Sequence, residues 1–327
     1  MACVRIILTL IACVACSAIC MAEKGDLKTI MPAEGKLIED IVYKTSRQGN
    51  QCLDIYIPNI NATGKLPVVV YIHGGSWMHG SKDEPTKSVW ARAMLTDLLK
   101  NGYAVVSINY RLVNDSITVI YPEPLADCKD AVKWVKANAE KYKLDANRVA
   151  VMGSSAGAHL ALMTAYSPDG IAMGDAVLRN YDSKVKCVVD IYGPTDLSNI
   201  LQSRLPSAAV SFASLLMKKS VFKLRSTLLW SFTGESAFHP IRRTRECLLY
   251  SPMTYVRDAV PTIVFHGTKD MIVPYKHTTR LENAMRKNNK EIEVHPVEGE
   301  NHGFRTMNVK VAQEISAQLI NFLKINL

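Results

Sequence analysis

Beyond residue 22 the chain has no run of the roughly 18 uninterrupted apolar residues that a membrane-spanning helix needs, which argues against an integral span in the mature protein. It has no dense Lys/Arg block interleaved with aromatics, so the formal net charge of +9 describes a generally basic surface rather than a nucleic-acid-binding stripe. Its eight histidines form no His-Glu-x-x-His pair and stand at no finger spacing with a cysteine, so no metal site is expected. Cysteine is sparse after residue 22. Cys52, Cys128, Cys187 and Cys247 show no Cys-x-x-Cys spacing; they could form two disulfides in three alternative pairings or remain buried free thiols. No internal repeat or low-complexity tract follows the N-terminal segment. What remains is an ordinary globular composition, 48% hydrophobic and 21% charged over 327 residues, long enough to bury a large core.

Residues 1 to 22 differ from everything after them. Arg5 opens a segment that is apolar and small from Ile6 to Ile19 and ends in Cys20-Met21-Ala22, with small residues where a signal peptidase reads. This pattern predicts a secretory signal and a secreted or periplasmic product. Leu10-Ile11-Ala12-Cys13 also resembles a lipobox, and lipid anchoring at Cys13 is the alternative. The expected organisation is a signal over residues 1–22, a polar linker over 23–36 and one α/β domain over 37–327.

Within that domain, Leu37 to Tyr43 and Cys52 to Pro58 read as an edge hairpin with Gly49-Asn50 as its turn signal. Leu66 to Ile72 is a nearly all-apolar run, as expected of a strand covered on both faces. Residues 86–100 have helical spacing, Tyr103 to Tyr110 reads as a strand, and Glu123 to Lys141 as a helix. Lys186 to Tyr192, Pro261 to Phe265 and Glu291 to Val297 read as further strands, and Tyr275 to Lys287 and Val309 to Leu323 as further helices. Such alternation predicts a mostly parallel sheet with helices on both faces, joined by right-handed crossovers. Ligands then bind beyond the carboxyl ends of the strands. Residues 195–258 lack the alternation and are expected to form a cap inserted above that edge.

The chemistry concentrates at Val149 to Leu162, an apolar strand, a five-residue turn and a helix start. The turn is Gly153-Ser154-Ser155-Ala156-Gly157. Gly153 and Gly157 carry no Cβ, so strand and helix can close around a strained Ser155 at the helix N-terminus, where free N–H groups favour developing negative charge. A serine hydroxyl needs a base, and the base an orienting acid. His302, in Asn301-His302-Gly303, and Asp270, in His266-Gly267-Thr268-Lys269-Asp270, each follow a predicted strand in the order serine, acid, histidine. Asp190 and Asp196 are the fallback acids. His73-Gly74-Gly75 follows another buried strand; the N–H groups of Gly74 and Gly75, joined by that of Ala156, are the candidate oxyanion donors, with His73 buttressing the loop.

These segments together resemble the α/β-hydrolase serine esterases. Leu53-Asp54-Ile55-Tyr56, His73-Gly74-Gly75-Ser76-Trp77, Tyr110-Arg111-Leu112, Gly153 to Ala161 and His266 to Asp270 are similar to the carboxylesterase group that includes feruloyl and acetyl xylan esterases. Hormone-sensitive-lipase-like esterases carry a third glycine where this chain has Ser76. His-Gly-Gly-x-Trp is also similar to kynurenine formamidases and prenylcysteine methylesterases. The resemblance implies an eight-stranded α/β-hydrolase fold with a helical cap and a cofactor-free acyl-enzyme mechanism. The substrate it implies is a small ester or acylated carbohydrate. An arylformamidase-like amidase and a non-catalytic binding protein on the same fold are the alternatives.

Overall fold

A computed structural model describes residues 33–60, 64–113, 119–198 and 240–327. The expected signal at residues 1–22, Cys13 and most of the expected cap fall outside the described residues. Eight strands form one sheet: β1 (Gly35–Ser46), β2 (Gly49–Pro58), β3 (Leu66–Ile72), β4 (Ala104–Ile108), β5 (Leu144–Ser154), β6 (Val188–Ile191), β7 (Thr262–Gly267) and β8 (Ile292–Val297). Their order is β1-β2-β4-β3-β5-β6-β7-β8. The β1–β2 and β2–β4 pairs are antiparallel, and every other pair is parallel.

Alternate side chains along the central strands enter two separate cores, as a sheet covered on both faces requires. Val68, Val70 and Ile72 of β3 face one layer, with Val149 and Val151 of β5; Val69 and Tyr71 face the other, with Ala150 and Met152. The first layer is covered by α2 (Glu123–Ala137), α3 (Ala156–Tyr166) and α5 (Lys276–Lys287), through residues such as Leu125, Leu160 and Leu281. The second is covered by α1 (Val89–Lys100) and α6 (Val309–Asn326), through Met94, Leu98, Leu319 and Phe322. Helix α4 (Pro240–Leu249) lies between β6 and β7 in the chain.

Two features of the first hairpin differ from expectation. The first strand begins at Gly35, inside the stretch assigned to the linker. The hairpin turn is made by Arg47 and Gln48, because Ser46 pairs with Gly49 and Thr45 with Asn50. Gly49, at φ 106°, supplies the left-handed residue that closes the turn from within the returning strand, so the glycine marks the turn without being its centre.

The two ends of the segment between β6 and β7 are fastened to each other. The Met253 N–H donates to the Thr195 carbonyl at 3.2 Å, and the Leu197 N–H to Ser251 Oγ at 2.9 Å. Thr195 is also tied to α5, its N–H donating to His277 Nδ1 at 3.2 Å. The four cysteines after residue 22 are free thiols, with Cys128, Cys187 and Cys247 buried, so neither disulfide forms.

Candidate active site

Strand β5 ends at Ser154 and α3 starts at Ala156, leaving Ser155 alone at the corner with φ 52° and ψ −119°. A non-glycine residue is strained there and persists only where its surroundings hold it. Those surroundings are visible. The Ser155 N–H donates to the Ile191 carbonyl of β6 at 2.8 Å, and the His159 N–H to the Ser155 carbonyl at 3.1 Å. A side chain at Gly153 would run into the Gly157 carbonyl, and one at Gly157 into the carbonyls of Ile72 and His73. Both glycines are therefore required by space, as the close approach of strand and helix predicts.

The loops after β7 and β8 deliver the other two residues. Ser155 Oγ lies 2.8 Å from His302 Nε2, and His302 Nδ1 lies 2.7 Å from Asp270 Oδ2. A carboxylate only accepts, so Nδ1 carries the proton and Nε2 is left to accept from the serine hydroxyl. The other oxygen of Asp270 accepts from the N–H groups of Ile272 and Val273, each at 2.8 Å. Burial alone would raise the Asp270 carboxyl, but hydrogen bonds from His266 and His302 and their charge outweigh it and hold it well below the usual range. Asn301 joins the two loops: its Oδ1 accepts from the Met271 N–H at 3.1 Å and from the His302 N–H at 2.8 Å. Tyr192 packs edge-on against the His302 ring, with centroids 4.8 Å apart.

The fallback acids do not meet His302. Asp190 is buried, accepts from the Gly193 N–H at 2.7 Å, and is pushed up to about 6 by burial, against the pull of His266 and that hydrogen bond. Asp196 accepts from the Ser198 N–H and pairs with Arg280 at 3.4 Å.

The glycine loop lies against the elbow, and of its two expected donors the Gly75 N–H is uncommitted while the Gly74 N–H is not. A Cβ on Gly74 would sit 2.8 Å from Ser154 Oγ and 3.5 Å from Ser155 Cβ, so the loop backbone touches the nucleophile's turn. The Gly74 N–H, however, donates to Glu84 Oε2 at 2.6 Å and so is already committed. Among the described residues no hydrogen bond engages the amides of Gly75, Ser76 or Ala156. The uncommitted amides beside the elbow are thus those of Gly75, Ser76 and Ala156, one residue along the loop from the expected pair. Gly75 at φ 115°, Ser76 at 56° and Trp77 at 60° give the loop the left-handed path that turns these amides out of the regular ladder.

His73 supports this loop from beneath. Its Nδ1 lies 2.8 Å from the Gly74 carbonyl, its ring stacks on Tyr110 at 4.2 Å, and the Tyr110 hydroxyl donates to the His73 carbonyl at 3.1 Å. Because a carbonyl only accepts, Nδ1 is protonated; in a trans peptide the Gly75 N–H then points away from His73. Burial lowers the His73 imidazole to about 4, so it stays neutral. His159, on α3, is engaged at both nitrogens: the Trp77 indole N–H donates to Nδ1 at 3.3 Å, and Nε2 donates to the Tyr250 carbonyl at 2.8 Å. It therefore faces the glycine loop and the returning end of the segment between β6 and β7.

Two residues of this assembly escape a reading of the sequence. Glu84 sits in Ser81-Lys82-Asp83-Glu84-Pro85, a polar stretch with the look of a solvated turn, and Asn301 reads as a loop residue. The Asn301-His302 dipeptide is the only hint of the second.

The similarities to known proteins agree with this architecture. Esterase LipC of Mycobacterium tuberculosis is 27% identical over 255 residues, covering 78% of this chain and 57% of its own length. The probable carboxylic ester hydrolase LipM of the same organism is 29% identical over 254 residues, covering 77% of this chain and 52% of its own length. The chain thus spans about half the length of the curated relatives it matches. Among solved structures, a truncated carbohydrate esterase from gut microbiota superposes with a TM-score of 0.67 at 22% identity, covering 90% of this chain and 98% of that one. The butyrate-bound esterase Est2 of Thermogutta terrifontis does so with a TM-score of 0.66 at 23% identity, covering 88% and 92%. These likenesses show the fold, an α/β-hydrolase. Residues 53–285, from β2 through the elbow and the Asp270 loop into α5, match the BD-FAE family model, and the chain belongs to the BD-FAE family of α/β-hydrolases.

Proposed function

We propose that this protein is an exported serine carboxylic-ester hydrolase. The observation that carries the reading is the unbroken chain from Ser155 Oγ through the two nitrogens of His302 to Asp270, at 2.8 and 2.7 Å, beside a loop with uncommitted amides. In the reaction His302 Nε2 takes the Ser155 proton as the oxygen attacks the ester carbonyl. The tetrahedral oxyanion is held by the amides of Gly75, Ser76 and Ala156; loss of one such donor costs about 3 to 4 kcal/mol of transition-state stabilisation. The imidazolium, stabilised by Asp270, returns the proton to the leaving alkoxide. Water, deprotonated by the same nitrogen, then releases the acid from the acyl-serine.

The substrates we assign are short acyl esters, including acetyl or feruloyl esters of carbohydrates. Export rests on the apolar segment before Ala22, and the carbohydrate on the resemblance of the chain's motifs to that esterase group. Purified protein is expected to release p-nitrophenol from p-nitrophenyl acetate and to be labelled by a fluorophosphonate probe. Ser155→Ala should lose both while melting as wild type does. Equal turnover by wild type and variant would remove Ser155 from the mechanism. On a panel of acetyl xylan, methyl ferulate and N-formylkynurenine, fastest turnover of the last would replace the ester assignment with an amide one.

A further inference from the structure

Glu84 is the first residue of a single 3-10 turn, Glu84–Thr86, between the glycine loop and α1. Its carboxylate reaches back to the loop. Oε2 accepts from the Gly74 N–H at 2.6 Å, and Oε1 accepts from the Ser154 hydroxyl at 2.7 Å. One side chain thus bonds the residue next to the candidate oxyanion donors and the residue next to the nucleophile. The Gly74 carbonyl is held from the other side by His73 Nδ1. With its N–H and its C=O both bonded, Gly74 cannot turn either of its flanking peptides, and the plane that carries the Gly75 N–H is set.

We infer that Glu84 is a positioning residue: by accepting one hydrogen bond from the glycine loop and one from the elbow, it fixes the distance between the oxyanion donors of residues 75–76 and the Ser155 hydroxyl. The inference rests on the esterase reading for its consequence in rate, but not for its structural content. The two groups it joins belong to different strands: Gly74 lies in the loop after β3, and Ser154 is the last residue of β5. Those strands are neighbours in the sheet, with Ile72 opposite Gly153, but the pairing between them ends there, before Gly74 and Ser154 are reached. Glu84 continues the connection past the end of the ladder. Catalytic geometry of this kind tolerates errors of well under an ångström, so a second tie at that point has a use that sheet pairing alone does not meet.

A glutamine can replace both bonds. Its carbonyl accepts from the Gly74 N–H, and its amide NH₂ donates to Ser154 Oγ, whose hydroxyl can turn to accept. An alanine replaces neither and leaves the Gly74 N–H without its acceptor. Glu84→Ala, Glu84→Gln and Ser154→Ala should be compared with wild type in two measurements: kcat and KM on p-nitrophenyl acetate, and amide hydrogen exchange of a peptide spanning residues 73–78.

Glu84→Ala is expected to lower kcat about 10²- to 10³-fold, the effect of losing an oxyanion donor, with KM changed less than about threefold. Glu84→Gln should stay within about tenfold of wild type, and Ser154→Ala should fall between the two. Exchange in the 73–78 peptide should speed up in Glu84→Ala and not in Glu84→Gln. If Glu84→Ala does not fold, the Gln and Ser154→Ala variants still decide: wild-type kcat and exchange in Ser154→Ala, or a loss in Glu84→Gln as large as removal of a donor, would overturn the inference. A Glu84→Ala protein with wild-type exchange overturns it whatever the activity. A wild type that hydrolyses no ester, with the exchange differences present, would overturn the esterase reading and leave the tether standing.

Discussion

Single residues in the Asp270 loop decide which tautomer of His302 faces the serine. Asp270 Oδ1 accepts from two backbone N–H groups, of Ile272 and Val273, and Oδ2 accepts from His302 Nδ1. In Asp270→Asn the amide oxygen is the only acceptor left, and the two backbone donors claim it because a buried unpaired N–H is costly. The new NH₂ group then faces His302 Nδ1 and makes it an acceptor. The ring proton moves to Nε2, and Ser155 loses its base. We expect kcat to fall about 10⁴-fold with the fold intact and KM little changed. Steady-state kinetics on p-nitrophenyl acetate measures this; a variant within tenfold of wild type would mean that Asp270 is not the orienting acid. The meeting of Ser155, His302 and Asp270 was legible in the sequence because the chemistry restricts the residue types and the fold restricts their order. The role of Gly74 was not legible. A glycine pair tells that backbone comes close to something, but not which way each peptide faces, and that direction is set by Glu84 and His73, one of them in a stretch that reads as a polar turn.

At the level of elements, the apolar strands and amphipathic helices of the sequence match those of the structure to within a few residues, since burial on one or two faces leaves a periodic trace. Leu66–Ile72 is both the predicted and the observed extent of β3. The differences fall where short-range hydrogen bonding decides. Helix α1 starts only at Val89, because Ser88 caps it by accepting from the Ala91 N–H at 3.3 Å, while residues 84–86 form a separate 3-10 turn that presents Glu84. The same local chemistry starts α6, where Asn308 Oδ1 accepts from the Val311 N–H at 3.0 Å. That helix packs against the sheet face shared with α1, through Leu319 and Phe322. Asn308→Ala should therefore cost about 1 kcal/mol of stability. Thermal melting should show a Tm lower by about 2–3 °C, with kcat unchanged. An unchanged Tm would mean that the cap adds nothing to α6.

At the scale of the whole molecule, three neutral histidines among the described residues hold loops together. Burial lowers His73, His159 and His277 each to about 4 from an ordinary value of 6.5, against opposing hydrogen bonds or nearby carboxylates. Their partners lie in different parts of the chain: His73 holds the glycine loop, His159 joins Trp77 to Tyr250, and His277 accepts from Thr195 at the start of the segment between β6 and β7. Between pH 6.5 and about 4 the unfolded chain binds protons at these positions and the native protein does not, so stability falls as pH falls. Each contributes a slope of up to about 1.4 kcal/mol per pH unit. Raised carboxyls act in the opposite sense, since the native state takes up their proton first: Asp190 at about 6, and Glu84 and Asp130 above their usual range, all chiefly through burial. Asp270 adds to the acid loss only below its unfolded value of 3.8, outside this window. The histidines have the larger combined span, and acidification also adds to a chain already at +9, so the net slope should favour unfolding in acid. Urea midpoints measured from pH 7 to pH 4.5 should fall steadily. His159→Gln offers a direct check, because its amide can accept from Trp77 and donate to Tyr250 without titrating, and its stability should fall less steeply with pH than wild type. A wild-type midpoint that is flat or rises on acidification, or a His159→Gln slope equal to wild type, would show that these buried imidazoles do not control the acid stability of the fold.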